Sequence, residues 1–205
     1  MTPIAIIDFE TTGMSPEAGA RPTEVAIVLT DNGRVVDRFQ SLMNPGVYIP
    51  PFITGLTGIT NAMVGAAPPV AQVMADAARF VDGCPMVAHN ASFDRKFWQA
   101  ELARVGLDAQ HPFACTVLLS RRLYPHAPSH KLGALVQHLG LPATGRAHRA
   151  LADAEMTAEL LRHMLGMLRR DHSLHRPSHA QLVQLQRCTR AQVPQWLARA
   201  AAEST

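Results

Sequence analysis

The chain has 205 residues, of which 47% are hydrophobic and 17% are charged. This composition can fill a buried core, so it excludes a disordered chain, and one domain is the default at this length. The formal net charge of +3 is mildly basic, which is compatible with a polyanionic partner without demonstrating one.

Cysteine usage argues against zinc-ribbon and disulfide-rich proteins, and hydropathy argues against a membrane-spanning protein. The three cysteines are scattered and contain no C-x-x-C pair, so the sequence predicts neither a zinc ribbon nor a disulfide framework. No apolar run is long enough to span a membrane, and the sequence enters its first predicted strand almost at once. We therefore expect a cytoplasmic protein without a leader segment.

The first part of the chain predicts three strands, joined in part by a tight hairpin. Asp31-Asn32-Gly33 lies between two strand-like runs and is a strong hairpin signal. The predicted strands cover residues 4–13, 24–30 and 34–42. A loop interrupted by prolines follows at 48–51.

Helices and short strands alternate after this start, which predicts an α/β fold with a mixed central sheet flanked by helices. Ser92 is the expected N-cap of the second helix. The predicted helices cover residues 70–81, 93–105, 117–123, 131–139 and 148–170, with short strands at 85–89 and 113–115. We divide the chain into a domain of residues 1–170 and a tail of residues 171–205, predicted to form one or two amphipathic helices.

Two carboxylates end the first strand. Asp8 and Glu10 are two residues apart, so their side chains lie on the same face of the strand. Two such acids repel each other and lose hydration unless a cation lies between them. Oxygen ligands favour Mg²⁺ or Mn²⁺. The alternative is an edge strand whose acids face water.

Two later stretches carry further acids. Asp94 follows a short strand and enters a helix, the kind of junction where sheets of this class bind ligands, or where an acid merely complements the helix dipole. Asp153 lies in an alanine-rich helix start, five residues after His148. His148 is either a proton acceptor or a surface residue that caps the helix. Four carboxylates with a nearby histidine are the set that a two-metal phosphoryl-transfer site needs.

Three motifs then occur in order: DFETTG at residues 8–13, HNASFD at 89–94 and HRALADAEMT at 148–157. Together they resemble the three motifs of the DEDDh 3′–5′ exonuclease family, which includes the epsilon proofreading subunit of bacterial DNA polymerase III. LTGITNAMV at 56–64 and SHKLGALVQHLGLP at 129–142 are also similar to parts of that family. The resemblance covers residues 3–170 and implies a ribonuclease-H-like exonuclease domain.

The resemblance also implies roles for individual residues. Asp8, Glu10, Asp94 and Asp153 are expected to hold two Mg²⁺ or Mn²⁺ ions, and His148 is expected to be the general base. The backbone from Glu10 through Thr11 to Thr12 is expected to line the site of the terminal nucleotide. Either Leu56 or Ile59 is expected to press against its base, with Phe93 packed nearby. Candidate phosphate contacts, which are otherwise solvated surface charges, are Arg121, Arg122, Lys131, Arg146 and Arg149.

These expectations describe an enzyme that releases nucleoside monophosphates from the 3′ end of single-stranded DNA, with a polymerase or repair protein as a candidate partner. The resemblance implies DNA in preference to RNA as the substrate, because the oligoribonuclease branch of the family typically has a first motif different from DFETTG. The first alternative is the same chemistry on short RNA. The second is a non-catalytic, nucleic-acid-binding subunit that accompanies a polymerase.

Overall fold

A five-stranded mixed sheet forms the centre of the computed structural model, which describes residues 3–143, 145 and 148–203. The strand order is β3-β2-β1-β4-β5. The first three strands pair antiparallel, and β1–β4 and β4–β5 pair parallel. The strands are β1 (Ile4–Thr11), β2 (Pro22–Asp31), β3 (Arg34–Leu42), β4 (Met86–Ala88) and β5 (Phe113–Cys115). The mixed sheet predicted from the sequence is confirmed.

The predicted hairpin lies between β2 and β3. Asn32 and Gly33 both have positive φ angles, 49° and 76°. Consecutive left-handed residues are typical of the tight turns whose twist matches that of the adjoining strands, and Asn-Gly tolerates them best.

Helices cover both faces of the sheet. Those of the main body are α1 (Pro51–Thr57), α2 (Asn61–Gly65), α3 (Val70–Val81), α4 (Ser92–Arg104), α5 (Thr116–Leu123), α6 (Leu132–His138) and α7 (Ala150–His172). Two more follow in the tail, α8 (His179–Leu185) and α9 (Val193–Ala202).

Two local predictions differ from the structure at their boundaries. The loop predicted at 48–51 ends at Pro50, and Pro51 begins α1 in a first-turn position where its missing N–H costs no hydrogen bond. Ser92 is not the N-cap of α4 but its first helical residue, and Ala91 takes the N-cap position.

The two faces of β1 pack against different helices. Ala5, Ile7 and Phe9 lie in a core cluster with α3 and α4, whereas Ile6 lies in a second cluster with α7. Because side chains alternate along a strand, Asp8 and Glu10 share the α7 face with Ile6. The sheet thus directs both acids towards the start of α7.

The tail packs onto the same core as α7. Leu182, Leu185 and Trp196 are buried in the α7-side cluster. Gln186 lies against the outer edge of β5: its Oε1 accepts a hydrogen bond from the Cys115 N–H at 2.6 Å, and its Nε2 donates to the Phe113 carbonyl at 3.2 Å. One side-chain amide thereby satisfies two backbone groups of an edge strand. Among the described residues, no helix is both long and apolar enough to cross a membrane.

Candidate active site

Three structural elements bring the acidic residues together. Asp8 and Glu10 lie on central strand β1, Asp94 in the first turn of α4, and Asp153 in the first turn of α7. Asp94 is almost fully buried, with 2% of its surface exposed. Its Oδ1 accepts a hydrogen bond from the backbone N–H of Phe9 at 3.1 Å. This bond connects the second motif to the first, between its two acids.

His148 lies just before α7, at the rim of the site. It is exposed and has a positive φ of 61°, and its backbone N–H donates to Asp153 Oδ2 at 3.0 Å. Ligand atoms of Glu10, His148 and Asp153 all lie within 4.8 Å of one another. The first and third motifs therefore meet in space.

The acids lie close enough to perturb one another strongly. Burial raises the pKa of Asp8 well above its usual range, and Asp94, Glu10 and Asp153 raise it further. Burial also raises the pKa of Asp94 to about 7, against the hydrogen bond from Phe9. A cluster of buried carboxylates without a compensating cation favours protonated forms.

The other two acids behave in the same way. Burial raises the pKa of Glu10 to about 8, with Asp153 as the largest charged contributor. Burial raises the pKa of Asp153 too, although the His148 N–H hydrogen bond lowers it. Oxygen ligands whose pKa values are raised in the absence of a cation are a donor set suited to a hard divalent cation, which would compensate their negative charge.

A fifth carboxylate, which sequence analysis missed, adjoins this set. Glu24 on β2 is the register partner of Glu10 and is fully buried. Arg149 donates to it from Nε at 3.1 Å and from Nη2 at 2.9 Å. Arg149, a predicted phosphate contact, thus forms an ion pair with Glu24. The only sequence signal was an acid at the start of an otherwise apolar strand.

A cavity of about 1300 Å³ opens beside the acids. Its lining includes Asp8, Asp153 and His148, together with the cationic residues Arg121 and Lys131. A smaller pocket of about 340 Å³ is also lined by Arg121. Both cations are exposed, so the lining of the cavity combines acidic and basic groups.

The remaining candidate phosphate contacts have other surroundings. Arg122 donates to the carbonyl oxygens of Cys188 and Leu118 at 3.0 and 3.2 Å, so it connects α5 to the tail. Arg146 lies outside the described residues.

The predicted substrate-binding residues divide into exposed and buried groups. Leu56 is 48% exposed, whereas Ile59 is fully buried in a small cluster with Ile49, Ile53 and Val64. Ile59 therefore supports the loop from within. Of the two alternatives, Leu56 is the side chain available at the surface.

Thr11, Thr12 and Phe93 are less accessible. The Thr11 hydroxyl donates to the Gly13 carbonyl at 2.7 Å, and the Thr12 hydroxyl accepts from the Arg21 N–H at 3.0 Å. Both threonines are buried, so their side chains hold the turn after β1. Phe93 is half-buried and packs against Phe97 at a centroid distance of 5.1 Å.

Comparison with known proteins gives the chain its family. Residues 5–161 match the RNase_T family model, described as exonuclease. A DNA polymerase III subunit epsilon-like protein of Rhodobacter capsulatus is 39% identical over 167 residues, and the match covers 80% of this chain and 24% of that protein. The 3′-5′ exonuclease DinG of Bacillus subtilis is 38% identical over 165 residues, 80% of this chain and 18% of DinG. The chain thus spans about a quarter or less of these relatives.

Solved structures agree with the fold. Exonuclease X in complex with 5′ overhanging duplex DNA has a TM-score of 0.65 and 31% identity, and the match covers 80% of this chain and 92% of that one. An E. coli exonuclease I complex with single-stranded DNA has a TM-score of 0.71 at 21% identity, covering 85% and 44%. The ribonuclease-H-like fold is confirmed, and the chain belongs to the RNase T family of exonucleases.

Proposed function

We propose that this chain is a metal-dependent 3′–5′ exonuclease that removes nucleoside monophosphates from the 3′ end of a single DNA strand. The observation that carries the proposal is the convergence of four acids, of which Asp8 and Asp153 line a large cavity together with His148. The 3′–5′ direction is supported by the name of the DinG relative, and DNA by the complexes of the structural neighbours.

The acids fit two Mg²⁺ or Mn²⁺ ions. Asp8, Glu10, Asp94 and Asp153 offer only hard oxygen donors. Burial raises the pKa of all four, and repulsion by neighbouring carboxylates raises the pKa of Asp8 and Glu10 further. When bound, the ions would stabilise the charge on the attacked phosphate and make a nearby water more acidic. The carboxylates would orient the bound ions. Strand β1 and helices α4 and α7 hold the carboxylates in place.

His148 is the proposed general base. Its backbone is tied to Asp153 while its side chain is exposed at the cavity rim. It can therefore accept the proton of a water that attacks phosphorus without being a buried structural group. General bases of this kind contribute roughly 10²–10⁴-fold to rate.

The cavity suits a single strand. Arg121 and Lys131 lie along its wall, where they can contact phosphates behind the terminal one. Leu56, exposed on α1, offers an apolar surface for the terminal base. The proposed partner is a polymerase or repair protein, and the name of the Rhodobacter relative supports a polymerase.

The test is a degradation assay with 5′-labelled oligonucleotides. Matched single-stranded DNA, duplex, mismatched duplex and RNA are incubated with Mg²⁺ or Mn²⁺, and with EDTA as the control. We expect stepwise shortening from the 3′ end of single-stranded DNA, none in EDTA, and none with Asp8→Asn. Preferred cleavage of RNA would assign the alternative substrate, and no hydrolysis of any substrate would indicate a non-catalytic binding subunit.

A further inference from the structure

The bonds around Glu24 show that this buried carboxylate is not a free member of the acid cluster. Besides the two bonds from Arg149, it accepts from the backbone N–H of Ala150 at 3.1 Å and from Gln40 Nε2 at 2.9 Å. Burial favours its protonated form, but these hydrogen bonds outweigh burial, and the pKa of Glu24 lies below its usual value. It is a charged, fully partnered group whose donors come from α7 and β3.

These donors mark the beginning of α7. Arg149 is the N-cap residue, and its own side chain does not cap the helix. The first N–H groups of a helix have no partner within it, and here the N–H of Ala150 finds one on β2 through Glu24. The helix dipole also favours an anion at this position, because the N-terminus of a helix carries partial positive charge. Glu24 therefore caps α7 from a distant strand.

The capped turn carries the reactive groups. His148 immediately precedes Arg149, and Asp153 follows one turn later. His148 has a left-handed backbone conformation, which a residue other than glycine keeps only when its surroundings hold it there. Two contacts restrain this backbone: the hydrogen bond from the His148 N–H to Asp153, and the ion pair that holds the neighbouring Arg149 to Glu24. Small displacements of such groups cost much rate.

We propose that Glu24 and Arg149 form a clamp that positions His148 and Asp153 against Asp8 and Glu10, with Glu24 acting as a positioning residue and not as a metal ligand. The clamp ties the third motif to β2, the neighbour of the strand that carries the first motif. This inference rests on the proposed function for its effect on rate, but its structural part does not.

The first test replaces Glu24 by its isosteric amide. With Glu24→Gln we expect kcat on single-stranded DNA to fall roughly 10–100-fold, as is usual when a partner that orients a metal ligand is lost. KM should stay within about threefold, because the substrate contacts are untouched. The matched control is Glu101→Gln, since Glu101 is also buried and accepts two bonds from one arginine, Arg21, at 2.8 and 3.0 Å.

The control separates positioning from general stability. Both variants should lose thermal stability, but Glu101→Gln should keep kcat within about threefold of wild type when assayed well below its Tm. Equal losses of kcat in the two variants would overturn the proposal, as would a wild-type kcat in Glu24→Gln.

A second variant distinguishes the loss of positioning from the effect of an unpaired Arg149 guanidinium. In Glu24→Gln the freed Arg149 guanidinium lies near Glu10, where it could itself disturb the site. The double variant Glu24→Gln/Arg149→Gln removes that charge. We expect it to be as slow as either single variant, because the two residues act as one unit. Recovery of kcat in the double variant would overturn the clamp and assign the loss to the free guanidinium.

Amide hydrogen exchange tests the clamp without any activity. In Glu24→Gln, peptides covering residues 148–156 should exchange faster than in wild type, whereas peptides of α4 should not change. Unchanged exchange at 148–156 would overturn the proposal. If Glu24→Gln fails to fold, Arg149→Gln makes the same test, since Arg149 is about one-third exposed. A wild-type protein without nuclease activity would refute the proposed function and leave this exchange test intact.

Discussion

The backbone N–H of Phe9 donates to Oδ1 of Asp94 across 85 residues of sequence. Strand β4 pairs with β1 only at Ala5 and Ile6, so the end of β1 extends past its parallel neighbour. Asp94 supplies the acceptor that a longer β4 would have provided. A carboxylate thus completes the sheet and at the same time joins the acid cluster, which makes the cluster part of the fold.

The metal-free protein should become less stable as the pH rises. The pKa values of Glu10 and Asp94, about 8 and about 7, lie above the values of these groups in the unfolded chain. Between the unfolded and the folded pKa of each group, the folded state therefore binds more protons than the unfolded state. Stability is then greatest at low pH within this range and is lost as these groups ionise. Urea unfolding in EDTA at about pH 6 and about pH 8.5 measures the difference.

Saturating Mn²⁺ should reverse this trend, because binding to the ionised folded state adds stability at higher pH. A free energy of unfolding in EDTA that increases from the lower to the higher pH would contradict the prediction.

Asp8→Asn should abolish hydrolysis and yet stabilise the metal-free protein. Asp8 is repelled by Asp94, Glu10 and Asp153, and an amide of the same shape removes that repulsion. We expect a Tm higher than wild type by a few degrees in EDTA near pH 8. The stabilising effect of Mn²⁺ should shrink in the same variant, and retention of the full effect would show that Asp8 is not a ligand.

His148→Asn should reduce the rate by roughly 10²–10⁴-fold, as expected for loss of a general base. Asparagine tolerates the left-handed backbone that His148 adopts, so this variant tests the imidazole without adding strain. Mn²⁺ affinity should change much less than in Asp8→Asn, because the four carboxylates remain. A loss below about tenfold under single-turnover conditions would assign the base to another group.

Truncation of Leu56 should affect substrate binding, whereas truncation of Ile59 should affect stability. Leu56→Ala should raise KM for single-stranded DNA with little change in stability, because Leu56 is exposed. Ile59→Ala should lower the free energy of unfolding by about 2–4 kcal/mol, since it opens a cavity in a small core. Urea titrations and steady-state kinetics on both variants check this, and an unchanged KM for Leu56→Ala would remove Leu56 from the substrate site.

Gln186→Ala should destabilise the protein by about 1–3 kcal/mol, because the Cys115 N–H and the Phe113 carbonyl lose their buried partner. Gln184→Ala is the matched control, since Gln184 is exposed on α8, of which Gln186 is the C-cap residue. Equal stability of the two variants in denaturant would show that the amide contributes nothing.

The whole tail, like Gln186, should contribute to stability. We propose that residues 1–170 contain the catalytic groups and that residues 171–205 stabilise them by covering β5 and the α7-side core. A chain truncated after residue 172 should unfold at lower denaturant than the full chain. An identical midpoint would show that the tail is dispensable for stability.

The sequence alone determined those features that depend on local pattern. Alternation along β1 put Asp8 and Glu10 on one face, the spacing of apolar residues predicted α3 with its observed bounds, and Asn32-Gly33 predicted the hairpin. The order of three short motifs indicated the family. Each of these signals lies within a few residues, where backbone geometry fixes the relation between side chains.

Only the tertiary structure decided which distant groups became partners. Glu24 meets Arg149 across 125 residues, and Gln186 meets Cys115 across 71. Ile59 and Leu56 have similar hydropathy, but packing buried one and exposed the other. These outcomes depend on how strands and helices dock, and an isolated acid, amide or leucine in one sequence carries no local signal of its eventual partner. A buried charge must find a counter-charge somewhere in the fold, and the folded chain alone specifies where.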